Sequence, residues 1–353
     1  VDNDENAAHL KLKLKKNYSN YFKLSFGGDY FITQFNERFT ENLGTTNTNG
    51  YNSNIGAFFT EADVLFSKKF AAKIGLRASY NDLLDETALS PRLSLAYKVA
   101  KNSQFSLAYG DFSQSPNADY IKYSKYHQFE SEKASHYILN FQFAKDSKTF
   151  RAEAYYKDYS NLVKYDTQDI RYNSNFNNDG SAYAKGLDLF WRDGKTIKNL
   201  EYWISYSYID TKRDYKNFPI AVTPSFVANH NLSIVTKYWI SDWRSQIGFT
   251  NSFSSGRPYN NPNETQFMNG KTKSYNSLSF NWAYLISAQK IVYFSVSNVL
   301  GTQNVFGYDY AKDPNATGFY NRKTITPTAD RFLFVGFFWT ISKDKKDNQL
   351  KNL

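Results

Sequence analysis

The sequence contains no cysteine and a single methionine. That absence excludes a disulfide scaffold, a Cys-based zinc site and thiolate chemistry. Long apolar runs are missing too: the longest, Phe332 to Trp339, is far short of the roughly 20 residues that a membrane-spanning helix needs. No stretch carries convincing helical periodicity. Enzymatic signatures are equally scarce, with no HExxH arrangement, no GxSxG elbow and no Gly-rich phosphate loop ending in Lys. The histidines, His9, His127, His136 and His230, form no pair at ligand spacing on one face. His127 and His136 read as solvated loop positions, and no metal site is expected. Glu153, Asp188 and Asp210 stand on strands among basic neighbours and read as ion pairs lining a wall, not as a general acid–base couple. Neither catalytic residues nor a cofactor are expected, and the chain is not read as an enzyme. Its start, Val1 to Asn6, has no basic cluster and no apolar segment, so no signal peptide is visible there.

What the sequence does have is aromatic residues. There are 30 Phe, 29 Tyr and 6 Trp among 353 residues, in a chain whose mean hydropathy is -0.62. Disordered chains lack such residues, so an ordered fold is expected. The net charge is +10, from 43 Lys and Arg against 33 Asp and Glu. Such an excess suits a polyanion, whether nucleic acid, anionic lipid headgroups or lipopolysaccharide. The basic residues are scattered, however, and nucleic acid is not the expected partner.

The strongest pattern has a period of two. Leu10, Leu12 and Leu14 alternate with Lys11, Lys13 and Lys15, and Ile74, Leu76, Ala78 and Tyr80 alternate with Lys73, Gly75, Arg77 and Ser79. Leu278, Phe280, Trp282 and Tyr284 do the same against Ser277, Ser279 and Asn281. About fifteen strands follow from this pattern, from roughly 8–16 to 332–341. Several exceed ten residues, whereas strands of globular sandwiches average about five or six and a tilted membrane strand needs about 9–11.

Connection length sorts by parity. Asn17–Asn20, Ser67–Lys68, Ala100–Asn102, Lys145–Ser147, Gly194–Lys198, Trp239–Ser241 and Ser287–Ala288 are short. Between them fall Glu37–Tyr51, Leu83–Thr87, Gln114–Ala134, Lys164–Asp179, Asp214–Ser225, Gly256–Thr272 and Leu300–Arg331, which are longer. Short turns on one side and long loops on the other are what an outer-membrane barrel has, and a Greek-key sandwich has no reason for them. Tyr80, Tyr97, Tyr109, Trp191, Trp239 and Trp339 lie near strand ends, where a bilayer places aromatic girdles. The expected fold is all-β: a transmembrane antiparallel up-and-down β-barrel over residues 1–342, with 343–353 a charged tail.

Three of the long connections hold the candidate ligand-binding residues: Tyr120, Tyr123 and Tyr126 in Gln114–Ala134, Arg257 and Tyr259 in Gly256–Thr272, and Tyr308, Tyr310 and Arg322 in Leu300–Arg331. Aromatic faces stack on sugars and other flat groups, while guanidinium groups attract anions.

A series of segments then becomes recognisable in order. It runs from SPRLSLAYKV (Ser90–Val99) and FSLAYGDFSQSP (Phe105–Pro116) through EKASHYILNFQF (Glu132–Phe143), AEAYYKDYSNLV (Ala152–Val163) and GSAYAKGLDLFW (Gly180–Trp191). It continues with PSFVANHNLSI (Pro224–Ile234), SSGRPYN (Ser254–Asn260), VYFSVSNVLGTQNVFGYDY (Val292–Tyr310) and RFLFVGFFWTI (Arg331–Ile341). The series resembles the C-terminal part of the barrel of TonB-dependent outer-membrane receptors, especially those of Bacteroidota.

The resemblance implies the last part of a 22-stranded barrel, with the plug domain, the TonB-engaging segment and the first strands upstream of this chain. It implies long loops outside the cell and a periplasmic C-terminus. Uptake of a scarce bulky nutrient (siderophore, vitamin, glycan or peptide) is then the expected function. Expected partners are outer-membrane lipid, lipopolysaccharide, TonB and an outer-membrane lipoprotein. The alternative is a non-transporting barrel: a passive pore, or a scaffold subunit of an outer-membrane assembly.

Overall fold

The computed structural model describes residues 2–40, 46–124, 129–170 and 174–341. Tyr126, His127 and the expected tail 343–353 lie outside the described residues.

The elements begin with β1 (Asp2–Asn17), β2 (Phe22–Thr40), β3 (Thr46–Leu65), β4 (Phe70–Asn81), β5 (Glu86–Ala100) and β6 (Ser103–Gln114). A short helix, α1 (Ala118–Tyr123), precedes β7 (Glu132–Lys145), β8 (Lys148–Tyr165), β9 (Phe176–Asp193) and β10 (Leu200–Asp214). Next come β11 (His230–Ile240), β12 (Ser245–Ser254), β13 (Pro258–Tyr259), β14 (Gly270–Lys271) and β15 (Tyr275–Ser287). Last are β16 (Lys290–Ser297), β17 (Gly307–Tyr310), β18 (Arg322–Ile325) and β19 (Phe332–Trp339). Fifteen strands form one sheet in strict sequence order, as the period-two pattern predicts, while β13–β14 and β17–β18 are separate two-stranded hairpins. β1 and β19 are the sheet's terminal strands. Among the described residues no helix is long and apolar enough to cross a membrane; strands of this length can.

One expected loop is mostly strand. β2 and β3 stay paired out to Thr40 and Thr46, through the segment Glu37–Tyr51 that reads as a long connection. Its polar residues mask the pattern, but no proline interrupts it, and Phe35 and Tyr51 stack across the ladder at 5.5 Å.

The chain divides into two compact units, each described by itself. The first contains Val1–Asn140, Ala154–Lys185 and Thr211–Val222. One face of its strands is apolar and exposed: Leu10, Leu12, Leu14, Ile74, Leu76, Tyr80, Leu89, Tyr137, Leu139 and Tyr156. Large exposed apolar faces do not persist in water, so this face calls for lipid. The opposite face carries charge that register brings into contact. Lys11 pairs with Asp29 in the β1–β2 ladder, and Asp63 pairs with Lys73 in the β3–β4 ladder. Asp29, its side chain only 2% exposed, accepts from Arg77 at 2.6 Å, with His9 at 3.1 Å and Lys11 at 3.4 Å from the same carboxylate. Lys73 bridges Glu61 at 3.0 Å and Asp63 at 3.2 Å. The wall of this unit therefore braces itself with ion pairs on one side, through Asp29 and Glu61.

The second unit contains Phe141–Glu153, Gly186–Asp210 and Thr223–Leu353. Phe249, Tyr284 and Tyr238 are exposed on it, and β19 exposes apolar side chains on both faces, among them Leu333, Phe334, Val335 and Phe338. Ala283, Leu285 and Ile291 are buried with Trp239 and Tyr293 beside the tight β15–β16 turn.

A charge placed on the two faces should behave differently. In the full-length protein in detergent micelles, Leu76→Arg is expected to cost about 2–4 kcal/mol in urea unfolding, and Ser94→Arg on the charged face under about 1 kcal/mol. Equal costs would contradict the assignment of faces.

Candidate ligand-binding site

The β12–β15 and β16–β19 connections of the second unit each fold back into a small hairpin. In the first hairpin Tyr259 pairs with Gly270. The absence of a side chain matters there: a Cβ on Gly270 would fall 2.4 Å from the Tyr259 ring. Glycine thus lets the ring lie flat on the backbone. In the second hairpin Tyr310 pairs with Arg322 and Tyr308 with Thr324. Strand alternation puts Tyr308 and Tyr310 on one face, two residues apart.

The two hairpins meet through these side chains. Tyr259 and Tyr308 have ring centroids 4.6 Å apart at an interplanar angle of 53°. The Arg322 guanidinium lies 4.4 Å from the Tyr308 ring, and Arg322 is exposed. Beside them the Tyr310 hydroxyl is enclosed and makes no hydrogen bond of ordinary geometry. Burial, and then the neighbouring Tyr259, push the Tyr310 phenol above its ordinary range, while Arg322 opposes them.

Asparagines hold the two connections in place. Asn263 donates to the Tyr320 carbonyl at 3.0 Å and accepts from the Tyr320 N–H at 2.7 Å. At the base, buried Asn304 exchanges two 2.9 Å bonds with the Asn276 backbone. Asn298, in the left-handed region at φ 48°, donates to the carbonyls of Thr302 at 2.9 Å and Asp330 at 2.7 Å. Asn298 and Asn304 were not among the expected site residues; their only sequence signal is the density of Asn in these loops.

Of the sequence candidates, Tyr259, Tyr308, Tyr310 and Arg322 come together. Arg257 is exposed beside them in sequence, and its backbone ladders with Thr272, whose hydroxyl accepts its N–H at 2.9 Å. Tyr120 and Tyr123 belong to the first unit and to α1. Asn117 caps that helix, its side chain accepting from the Asp119 N–H at 2.8 Å. Tyr120 is buried with Leu84, Phe129, Val163 and Phe176, so its ring is core of the connection, and burial raises its phenol. Tyr123 is half-buried under the Lys122 ammonium, 5.2 Å from its ring. Lys122 in turn reaches Glu37 at 3.2 Å, fastening the helix to the long β2–β3 hairpin. Tyr126 lies outside the described residues.

Histidine placement differs from expectation. His136 sits on β7 in a row of rings, 4.7 Å from Phe112 and 6.3 Å from Tyr159, and is not a solvated loop residue. Arg92 stacks on Phe112 at 4.8 Å and Arg213 on Tyr159 at 5.5 Å, extending the row at both ends. His127 lies outside the described residues. Among the described residues no group of three or more His, Asp or Glu is placed to hold a metal ion.

Comparison with known proteins follows the fold. The family described as TonB dependent receptor-like, beta-barrel matches residues 2–299. No curated protein matches the chain. Among solved structures, the FrpB iron transporter of Neisseria meningitidis is similar at a TM-score of 0.73 and 13% identity, over 96% of this chain and 55% of that one. A ferric enterobactin receptor mutant of Pseudomonas aeruginosa matches at 0.70 and 12%, over 96% and 54%. The outer membrane transporter YddB of Escherichia coli matches at 0.69 and 12%, again over 96% and 54%. The chain thus spans about half the length of the solved structures it matches.

If the Asn263 clamp joins the two hairpins, Asn263→Ala should speed amide exchange at Tyr320 about tenfold, or roughly 1.4 kcal/mol, by hydrogen–deuterium exchange. Unchanged exchange would mean the hairpins are held in another way.

Proposed function

Because the chain belongs to the TonB-dependent receptor family of outer-membrane β-barrels, we propose that it forms wall and ligand-binding loops of a receptor for a scarce, bulky nutrient of the siderophore, vitamin, glycan or peptide class. The apolar face of the sheet meets lipid and the charged face meets the lumen. The long connections are extracellular, and the short turns and C-terminus periplasmic. TonB supplies the energy through another segment of the receptor, and an outer-membrane lipoprotein is its further partner.

The observation that carries this reading is the exposed Arg322 guanidinium backed by the Tyr308 ring at 4.4 Å, with the Tyr259 ring 4.6 Å further on. A cation held over an aromatic face, next to an enclosed phenol, suits a ligand that offers an anionic group or a flat ring. An iron transporter and a ferric enterobactin receptor are among the similar structures, which makes ferric chelates the first ligands to try.

A deletion strain grown on single iron, vitamin, glycan or peptide sources is expected to fail on one of them. The nutrient so identified should bind the purified full-length Arg322→Ala receptor about 5–30-fold more weakly than wild type, roughly 1–2 kcal/mol. Unchanged growth on every source would favour the non-transporting scaffold instead.

A further inference from the structure

Scattered in the sequence, basic residues of the first unit are gathered by its fold at one end, and their role there rests on the outer-membrane placement proposed above. The short turns β1–β2, β3–β4 and β5–β6 bring together Lys15, Lys16, Lys68, Lys69, Lys98 and Lys101, and none of these turns contains a carboxylate. At the opposite end the β4–β5 connection carries Asp82, Asp85 and Glu86 and no basic residue. The turn lysines are all exposed, and none makes an ion pair to a described residue. Deeper in the same wall lysines are neutralised, Lys11 by Asp29 and Lys73 by Glu61 and Asp63. Positive charge is left open only at the turns.

These turns are rigid and joined to one another. The Ser19 hydroxyl oxygen accepts the N–H of Tyr21 and of Phe22, each at 3.1 Å, and the Ser67 oxygen does the same for Lys69 and Phe70, each at 3.1 Å. From turn to turn, the Leu65 N–H donates to the Tyr21 carbonyl at 2.7 Å and the Lys98 N–H to the Lys69 carbonyl at 2.7 Å. The second bond sets Lys69 and Lys98 side by side, where like charges repel unless an anion lies against them. Successive hairpins follow at about 10 Å, twice the strand spacing, so the charge forms an extended row. Between the lysines stand Tyr18, Tyr21 and Phe66, at 56%, 60% and 61% exposure, with the Lys16 ammonium 4.8 Å from the Tyr18 ring.

We propose that this rim docks on the carboxylate-bearing glycan of the cell wall, peptidoglycan. The lysines take the carboxylates of its peptide stems, and the exposed rings take the faces of its sugars. Position chooses that polymer over anionic lipid. Alternation puts Lys15 on the inner face with Lys11 and Lys13, and Lys98 there with Ser94, while Lys68, Lys69 and Lys101 stand in the turns, beyond the ends of the strands. The rings choose a glycan over an acidic polypeptide, whose carboxylates need no flat surface. A row of charge also suits a repeating polymer, where a small anion would fill one step of it.

The probe is purified peptidoglycan sacculi, mixed with the full-length receptor in detergent and sedimented. Wild type should pellet with the sacculi, and the bound fraction should fall several-fold between about 0.05 and about 0.5 M salt, as exposed charges are screened. Lys68→Gln, Lys69→Gln, Lys98→Gln and Lys101→Gln combined should lower binding at least about fivefold, and Arg at the same positions should restore it. Tyr18→Ser with Tyr21→Ser should lower it about twofold to threefold. Lys271→Gln with Lys312→Gln, in connections of the second unit, should bind as wild type. Unchanged sedimentation of the Gln variant would overturn the proposal, and so would salt-insensitive binding of wild type should that variant fail to fold. Release by polyglutamate, with no effect of the tyrosine substitutions, would overturn the glycan in favour of an acidic polypeptide. Phosphatidylglycerol releasing the receptor as readily as soluble peptidoglycan fragments would overturn it in favour of lipid. Labelling separates this rim from the placement it rests on, using Lys68→Cys in a receptor otherwise free of cysteine and a maleimide that cannot cross the outer membrane. Labelling on intact cells refutes the periplasmic turns. Labelling only after permeabilisation, with the Gln variant still sedimenting, refutes only the rim.

Discussion

A wall standing in hydrocarbon must satisfy every backbone N–H and C=O within itself, because the solvent offers no partner. For this chain that constraint sets nearly everything else. It imposes long antiparallel strands joined in sequence order, and it makes side chains alternate between two different surroundings. Leu12 and Leu76 stand on one side and Lys11 and Arg77 on the other for this reason alone. It also accounts for the polar mean hydropathy of a membrane protein, since half of each strand and all of the loops face water.

Once alternation has sorted the residues, each face solves its own problem. The charged face collects ions and pairs them, as the Asp29 cluster does through residues from three strands. The apolar face needs no pairing. The connections have neither a sheet nor lipid to lean on. They build small cores of their own, around Tyr120 and Phe176 in one unit, or clamp themselves with asparagine in the other. Candidate binding side chains in such loops are positioned by local hydrogen bonds, so the candidate site inherits its geometry from Asn263 and Gly270 as much as from its rings.

The strands were legible in the sequence because a period of two survives over ten or more residues and needs no tertiary information. The β2–β3 extension was not, since Asn, Thr and Gly on both faces erase the alternation that would have marked it as strand. β13, β14, β17 and β18 have two to four residues each, too few for any periodicity to register. Tyr259, Tyr308, Tyr310 and Arg322 stood out by residue type, but their meeting depends on hairpin register and on a clamp spanning 57 positions. Tyr120 shows the limit of residue type: a loop tyrosine offered to a ligand and one buried beneath Phe129 read identically in one dimension.

The chain has no cysteine of its own, so single thiols introduced into it permit a direct test once any cysteine elsewhere in the receptor is replaced. Single cysteines placed along β4 from Lys73 to Tyr80 in the full-length receptor, each carrying a fluorophore, can be reconstituted in lipid with a quencher attached to the acyl chains. The account predicts quenching that alternates residue by residue, strong at Ile74, Leu76 and Ala78 and weak at Lys73, Gly75 and Arg77. Uniform quenching, or none at any position, would contradict a wall with lipid on one face and water on the other.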